Sequence, residues 1–274
     1  MNTEQEVARH YTHGSLEQAI LAALKGIGKD VDRLTPADLS AADEFHLGWR
    51  AMSVEIGKDL SLTPQMHVLD VGSGIGGPAR YFAEAHGCRV TGIDLTEEFV
   101  QVAGALSRRC GLAGKVDFHT GSALNMPFKD GTFDAATLIH VGMNVADKEQ
   151  LFRDVRRVLK PGSRFCVYEV MQVQPGELPY PMPWAQTSDT SFVRTPEEYR
   201  ALLGKAGFKV ETETNRRDFV LELARKMREK AAVEGAPPVS LHILMGPASR
   251  DRLANVMATL EKGMIAPIEM IARA

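Results

Sequence analysis

The sequence predicts an α/β fold in which a doubly wound parallel sheet lies beneath a helical N-terminal region. Short apolar runs alternate with amphipathic stretches from residue 64 onward, and a glycine-rich turn directly follows the first of these runs. The first 60 residues show helical periodicity with little strand character. Alternation of this kind is typical of parallel strands that are joined by right-handed helical crossovers.

The N-terminal region, residues 1–60, is predicted to form a helical cap. Leu16, Ile20 and Leu24 recur at helical spacing in its first half. A second helical region is predicted over 34–57, and no strand signal occurs before residue 67. The cap therefore precedes the whole of the sheet along the chain.

Residues 61–214 are predicted to form the core, in which strands and helices alternate. The predicted strands are 67–71, 89–93, 115–119, 133–140, 164–170 and 208–213. The predicted helices between them are 78–86, 96–109, 147–160 and 196–206. Residues 215–274 are predicted to complete the same domain with two helices, 216–233 and 248–262, and a C-terminal strand.

The composition argues against several classes of protein. The chain has 32 Lys and Arg against 35 Asp and Glu, and a net charge of −3 does not favour a nucleic-acid partner. No apolar run reaches the roughly 18 residues of a membrane span, and the polar N-terminal sequence lacks the apolar core of a signal peptide. The three cysteines, Cys88, Cys110 and Cys166, lack metal-ligand spacing, which predicts no metal site and favours a reducing cytoplasm. An enzyme or a binding domain for a small molecule remains.

The glycine-rich turn is the most informative segment. Its spacing, Gly72-x-Gly74-x-x-Gly77, lies after a predicted strand and before a predicted helix, which indicates a nucleotide-like ligand. Asp94 ends the second strand twenty residues beyond Gly74. A carboxylate at this place can bind a ribose diol of NAD or of S-adenosylmethionine, and the alternative is that it caps the helix that follows.

Two features distinguish the two cofactors. Asp70 lies inside the first strand, where an acid is unsuited to a pyrophosphate but can reach a positively charged group such as the α-ammonium of S-adenosylmethionine. The polar and apolar loop 122–124 follows the third strand, where the edge of an adenine would lie. Both features favour S-adenosylmethionine. An NAD-dependent oxidoreductase is the alternative, and it leaves both features unexplained.

The sequence resembles the class I S-adenosylmethionine-dependent methyltransferases, with its strongest likeness to bacterial small-molecule enzymes similar to the sarcosine/dimethylglycine and quinone or tocopherol methyltransferases. The matching segments are VLDVGSGIGG, GIDLT, GSALNMPFKDGTFDAA, RRVLKPGSRFCVYE and TPEEYRALLGKAGF, which span about 64–214 in the family's order. The resemblance implies a Rossmann-like doubly wound sheet of about seven strands with an antiparallel last strand. It also implies methyl transfer from S-adenosyl-L-methionine to a small-molecule acceptor, with S-adenosyl-L-homocysteine as the product.

The resemblance further implies which residues bind the cofactor. They are Tyr11, Asp70, Gly72, Ser73, Gly74, Asp94, Leu95, Ser122, Ala123, His140 and Val141. Asp70 and the glycine turn would hold the methionine part, Asp94 and Leu95 the ribose and adenine, and Tyr11 would cover the cofactor from the cap. The chain departs from the family at Ser122, where relatives often carry an acid, so a backbone group is expected to help bind the adenine amine.

Two histidines are candidates for a general base. His140 follows the fourth strand and is the first candidate; alternatively it only shapes the cofactor pocket. His46 is the second candidate, and the alternative for it is a structural role. Trp49 lies three residues after His46, so the two side chains would share one face of a helix. Asn144 stands where relatives often carry histidine, which argues against a base at that position.

The acceptor is expected to contact loops beyond the carboxyl ends of the strands. The long proline-rich loop 170–194 is predicted to be a lid, and its Trp184 is the preferred contact and a candidate catalytic-site residue. Tyr180, Trp49 and Asn144 are further candidate contacts. The alternative for the loop aromatics is that they anchor the loop to the core.

The implied reaction is an in-line displacement in which the protein mainly aligns the reactants and excludes water. Nitrogen and oxygen acceptors are favoured over carbon. A neutral amine needs at most a weak proton acceptor, whereas a hydroxyl group needs a positioned base. A cofactor-binding module without turnover is a third hypothesis, and a homodimer through the C-terminal helices is a further expectation.

Overall fold

The computed structural model describes residues 3–12, 14–235 and 239–274, and these form eleven α-helices around a seven-stranded sheet. The helices are α1 (Thr3–Tyr11), α2 (Leu16–Gly26), α3 (Pro36–Asp43), α4 (Trp49–Asp59), α5 (Gly77–His86), α6 (Glu97–Arg109), α7 (Lys148–Val158), α8 (Pro196–Lys205), α9 (Arg217–Glu234), α10 (His242–Met245) and α11 (Ser249–Glu261). The strands are β1 (His67–Val71), β2 (Arg89–Asp94), β3 (Val116–Thr120), β4 (Phe133–Ile139), β5 (Leu159–Gln172), β6 (Lys209–Asn215) and β7 (Ile265–Arg273). Within the described ranges, no helix combines the length and the apolar character that crossing a membrane requires.

The sheet has the strand order β3-β2-β1-β4-β5-β7-β6. Strands β1 to β5 pair in parallel, whereas β7 pairs antiparallel with both β5 and β6. This confirms the predicted doubly wound sheet with an antiparallel last strand. The strand order reverses at β1, which lies between β2 and β4, and ligands of such sheets bind beyond the carboxyl ends of the strands at that point.

The core lies on both faces of the sheet, because successive residues of a strand point to opposite sides. Leu69 and Val71 of β1 pack with Phe152 of α7 on one face. Val68 packs with Phe82 of α5 on the other. All five side chains are buried, and burial of a side chain of this size contributes about 1.5–3 kcal/mol.

The N-terminal helices attach to the core in different ways. Leu16 and Ile20 of α2 join Leu39 of α3 and Phe99 of α6 in one buried apolar cluster. Helix α1 differs, because none of its nine residues is buried. Its position therefore depends on side-chain contacts at its surface.

The predicted helical region 34–57 is in fact two helices, α3 and α4. They are separated at 44–48, and the backbone turns where Gly48 takes a φ of 92° and Trp49 a φ of 45°. His46 lies in this connection and Trp49 begins α4. The prediction that His46 and Trp49 share a helix face is therefore wrong, since the left-handed turn at Gly48 ends the helical spacing between them.

Candidate active site

A cavity of about 410 Å³, called cavity A, lies at the carboxyl ends of β1, β2 and β4. Most of the residues that were predicted to bind the cofactor line it. They are Tyr11, Asp70, Gly72, Ser73, Gly74, Asp94, Leu95, Ala123, His140 and Val141. Ser122 is the one predicted cofactor residue that is not part of the lining.

The glycine turn is held open toward cavity A by its backbone. Gly72 and Gly74 have φ values of 72° and 53°, which favour glycine over other residues. The amides of Gly72 and Ser73 donate to the carbonyl of Ile93 at 2.7 and 3.0 Å, so β2 fixes the turn. A Cβ on Gly74 would have no atom within 4 Å, whereas one on Gly72 would lie 2.3 Å from Cγ2 of Val141. The turn therefore leaves room for a ligand to approach at Gly74.

Asp94 accepts hydrogen bonds from two backbone amides at the edge of cavity A. Its Oδ2 accepts a hydrogen bond from the amide of Gly74 and its Oδ1 one from the amide of Thr96, both at 2.8 Å. The second bond closes a turn just before α6 and does not cap that helix, whose N-cap residue is Thr96, and the first ties the glycine turn to β2. Each carboxylate oxygen keeps a further lone pair, so Asp94 can also accept from a ligand in cavity A.

Asp70 and Ser73 place unpaired polar atoms at one end of cavity A. Asp70 is 2% exposed, and its Oδ1 accepts from the hydroxyl of Thr137 at 2.8 Å. Among the described residues, Oδ2 of Asp70 and Oγ of Ser73 have no hydrogen-bond partner. Burial raises the pKa of Asp70 to about 6. Since buried polar atoms are normally paired, this end of the cavity fits the ammonium and carboxylate of the methionine part of S-adenosylmethionine.

Ser122 faces helix α1. Its hydroxyl donates to Oε1 of Glu4 at 2.5 Å and accepts from the amide of Leu124 at 3.0 Å. Glu4, Val7 and Tyr11 lie at helical spacing on α1 and all line cavity A. Glu4 thus places a carboxylate at cavity A, beside the predicted adenine loop.

A second cavity of about 240 Å³, called cavity B, adjoins cavity A. Four residues line both cavities, namely Tyr11, Phe45, His46 and His140. The rest of the lining is mainly apolar and consists of Leu47, Trp49, Met143, Val170, Pro183, Trp184, Ala224, Met227, Arg228, Leu241, Leu253, Val256 and Met257. Cavity B is therefore suited to an apolar molecule that extends toward a ligand bound in cavity A.

His140 is engaged by the backbone through both ring nitrogens. Its Nε2 accepts from the amide of Leu47 at 3.2 Å, and its Nδ1 lies 3.1 Å from the carbonyl oxygen of Tyr168, to which it can only donate. Desolvation, with a smaller effect from the nearby His46, lowers the pKa of His140 to about 3. This arrangement argues against the predicted role of His140 as a base, because no lone pair of the ring is free.

His46 is paired with a buried carboxylate. Its Nε2 lies 2.8 Å from Oε2 of Glu44, which also accepts from the hydroxyl of Ser53 at 2.6 Å. The guanidinium of Arg50 contacts the other oxygen of Glu44 at 2.5 Å. Burial opposes ionisation of Glu44, but the hydrogen bond from His46, together with Arg50 and Ser53, holds the pKa of Glu44 below its ordinary value. Nδ1 of His46 lies 3.4 Å from the carbonyl oxygen of Leu47, which is a long contact.

A chain of hydrogen bonds joins α1 to the long loop 170–194. The hydroxyl of Tyr11 donates to Oδ1 of Asn144 at 3.0 Å, and Nδ2 of Asn144 donates to the carbonyl of Trp184 at 2.7 Å. The indole of Trp184 is 3% exposed, donates to the hydroxyl of Ser191 at 2.9 Å and lines cavity B. Tyr180 lines neither cavity and packs partly buried in the cluster beneath the loop. The alternative role, anchoring the loop, therefore fits Tyr180 better than a contact with the acceptor.

Several residues that line cavity A were not predicted from the sequence, and Glu4, Asp43 and Phe45 are among them. Asp43 and Phe45 lie at and just beyond the end of α3, in a segment that the sequence predicted to be continuous helix. Within the described part of the chain, no three His, Cys, Asp or Glu side chains are grouped as metal ligands would be.

Comparison with known proteins identifies a methyltransferase domain over residues 69–167. The chain is 30% identical over 204 residues to the O-methyltransferase resE of Aspergillus sclerotiorum. This match covers 72% of this chain and 76% of that protein. It is 41% identical over 111 residues to the sterol 24-C-methyltransferase ERG6B of Gibberella zeae, although this match covers 40% of this chain and only 29% of that protein. In fold it is similar to the [4+2]-cyclase SpnF, with a TM-score of 0.70 and 23% identity over 99% of this chain and 97% of that one.

Proposed function

The chain belongs to the S-adenosylmethionine-dependent methyltransferases that act on small molecules, and from this premise we propose that it methylates a hydroxyl oxygen of an apolar acceptor held in cavity B. One observation carries the proposal. The apolar cavity B meets cavity A at His46, whose ring is paired with the buried Glu44.

Cavity A is the proposed cofactor site. When bound, S-adenosylmethionine would supply a methyl group on a positively charged sulfur; the acceptor would attack this methyl group in line, and S-adenosylhomocysteine would leave as the neutral thioether. Asp70 and Ser73 would hold the methionine part and Asp94 the ribose. Glu4, held by Ser122, would accept from the amine of adenine. Leu95 and Ala123 would make the other contacts with the adenine. Val141 and Tyr11 would lie beside the place where the methyl group is transferred.

The lining of cavity B supports an apolar and uncharged acceptor. Arg228 is the one charged side chain among the described residues of this lining, and it is paired with Glu261 at 3.1 Å. A buried charge on the acceptor would therefore lack a partner, which is costly. Apolar contact with Trp184, Trp49 and Met143 stabilises an apolar acceptor in proportion to the area buried, by about 25 cal/mol per Å².

His46 is the proposed proton acceptor. With Nε2 donating to Glu44, Nδ1 carries the lone pair that would take the proton of the acceptor hydroxyl as the oxygen attacks. The N–H so formed would have the carbonyl of Leu47 within 3.4 Å, and the ionised Glu44 would stabilise the charged ring. His140 would stay neutral and hold the backbone at Leu47.

Each of the three predicted parts of the chain has a place in this proposal. The cap, 1–60, would supply the base, the core, 61–214, would supply most of the cofactor site, and 215–274 would supply part of the wall of cavity B. The division itself, the cytoplasmic location and the homodimer stay predictions.

The test combines binding and turnover. S-adenosylhomocysteine and NAD are titrated calorimetrically into the wild-type protein and into Asp94→Ala, and methyl transfer is then measured with apolar phenols and alcohols, matched amines and charged analogues. The proposal expects micromolar binding of the thioether, lost in the variant, and transfer to hydroxyl compounds. Transfer to amines alone would contradict oxygen methylation, and binding without any transfer would favour a cofactor-binding module without turnover.

A further inference from the structure

We infer that Asp43, at the end of α3 in the N-terminal cap, is a second carboxylate that binds the α-ammonium group of the cofactor together with Asp70. The inference rests on the proposed placement of the methionine part in cavity A. It does not depend on the acceptor or on the base.

The first argument is an unpaired buried oxygen. Asp43 is 3% exposed and lines cavity A. Its Oδ2 accepts from Nη2 of Arg80 at 2.8 Å, whereas its Oδ1 has no hydrogen-bond partner among the described residues. Oδ2 of Asp70, in the same lining, is unpaired as well. Two buried carboxylate oxygens without donors at one cavity call for a ligand that brings several N–H groups, and an ammonium has three.

The second argument is charge. Arg80 is fully buried, and its guanidinium also donates to the carbonyls of Ile75 and Ala103 and to the hydroxyl of Ser107. These bonds fix the guanidinium, so it can orient Asp43 and balance one negative charge. When Asp43 and Asp70 are both ionised, this group of three carries a net charge of −1, which a cationic ligand would neutralise.

The third argument is position. A Cβ placed on Gly77, the first residue of α5, would lie 2.1 Å from the backbone oxygen of Asp43 and 3.0 Å from its Cγ. Asp43 therefore packs against the point where the glycine turn becomes α5. This is the same turn that carries Ser73, and Asp43, Asp70 and Ser73 all line cavity A.

The competing explanation is that Asp43 and Arg80 form an ion pair that only holds the cap to the core. The two roles differ in what the ligand must contain. An ammonium contact affects only ligands that carry the amino-acid part, whereas a purely structural pair affects every ligand of cavity A alike.

The experiment compares two ligands by calorimetry on the full chain. S-adenosylhomocysteine carries the amino-acid part, and 5′-methylthioadenosine has the same adenosine and thioether without it. Asp43→Asn is expected to lower the affinity for S-adenosylhomocysteine by about 10- to 100-fold, the range for a lost bond between charged groups. The affinity for 5′-methylthioadenosine is expected to change by less than about twofold. Asp38→Asn, the same charge change in the same helix away from both cavities, is the matched control.

Equal losses for both ligands, or an unchanged affinity for S-adenosylhomocysteine, would overturn the inference. If Asp43→Asn does not fold, the double variant Asp43→Ala with Arg80→Met removes the whole buried pair, a replacement that folded proteins often tolerate. The same selective loss is expected there, and equal affinities for the wild type and the double variant would refute it. Failure of both ligands to bind the wild-type protein would instead overturn the proposed cofactor site.

Discussion

Nε2 of His46 lies 2.8 Å from Oε2 of Glu44, and the side chain of Glu44 is completely inaccessible to solvent. The pair lies in the connection between α3 and α4, outside the sheet. Because His46 borders both cavities, this connection places an oriented imidazole where the cofactor and the acceptor would meet.

The two histidines between the cavities can be tested by the same substitution. His46→Asn is expected to lower kcat for a hydroxyl acceptor by about 100-fold or more, because a positioned base contributes roughly 10²–10⁴-fold. His140→Asn is expected to lower kcat by less than about tenfold, since that ring bonds only to backbone groups. Steady-state kinetics measure both, and titration with S-adenosylhomocysteine controls for an intact cofactor site. A larger loss at His140 would return the role of base to that residue.

Asp70 is expected to make cofactor binding depend on pH. Its pKa in the unliganded protein is raised to about 6, and the ammonium of the ligand favours the ionised form. The affinity for S-adenosylhomocysteine should therefore fall as the pH drops through about 6, and Asp70→Asn should weaken binding and flatten this dependence. Calorimetry between pH 5 and 8 measures it. A wild-type affinity that stays constant over this range would contradict the assignment.

The same carboxyl group should lower the stability of the unliganded fold. The pKa of Asp70 is about 6 in the folded protein and 3.8 ordinarily, so the protonated carboxyl stabilises the fold relative to the ionised one. This contribution is fully present below about pH 4 and is lost as the pH rises through about 6. Above pH 6 the loss amounts to about 3 kcal/mol at most. Asp70→Asn is thus expected to be more stable than the wild type toward urea at pH 8 and to lose this advantage at pH 4. Equal stabilities at pH 8 would argue that Asp70 is not strained by burial.

Glu4 is expected to distinguish adenine from a base that lacks the amine. Glu4→Gln should weaken S-adenosylhomocysteine by about 5- to 20-fold, because a charge-assisted hydrogen bond is lost. The analogue with inosine in place of adenosine should bind the wild type poorly, and the variant should discriminate less between the two. Glu6→Gln, on the same helix and outside both linings, is the control. Unaltered discrimination in Glu4→Gln would refute the adenine contact.

The indole of Trp184 is expected to contact the acceptor, whereas Tyr180 is not. Trp184→Phe should raise the KM for the acceptor by about 3- to 10-fold through lost apolar contact and leave the affinity for S-adenosylhomocysteine unchanged. Tyr180→Phe should leave both constants unchanged. Ser191→Ala removes the hydrogen-bond partner of the indole alone, so it separates the loss of that bond from the loss of contact area. An effect of Tyr180→Phe on KM that matches the effect of Trp184→Phe would contradict the distinction.

The parts of the site that follow from local sequence were predictable. Gly72, Gly74 and Asp94 stand at fixed distances from strands whose apolar pattern marks them, and the structure brings them to one cavity. The apolar runs also indicated the strands, whereas the antiparallel return of the last one was implied by the family resemblance. In these elements, local periodicity and the fold depend on the same residues.

The parts that depend on tertiary contacts were not predictable. His140 lies at the predicted strand end, but the backbone groups of Leu47 and Tyr168 that occupy its ring come from distant segments. The hydrogen bond between Ser122 and Glu4 likewise joins residues 118 positions apart. Gly48, at the break between α3 and α4, likewise lies close to Met52 and to Tyr168 of the distant strand β5, and the local sequence does not show the second contact.

Helix α1 buries none of its residues, yet its Tyr11 borders both cavities and its Glu4 borders one of them. Because none of its residues is fully buried, α1 is expected to cost less to displace than a helix of the core. The ligand that binds first would lose part of its binding free energy in ordering α1. The second ligand would then bind to a helix that is already in place. Cofactor and acceptor should therefore bind with positive cooperativity, each raising the affinity for the other by the same factor.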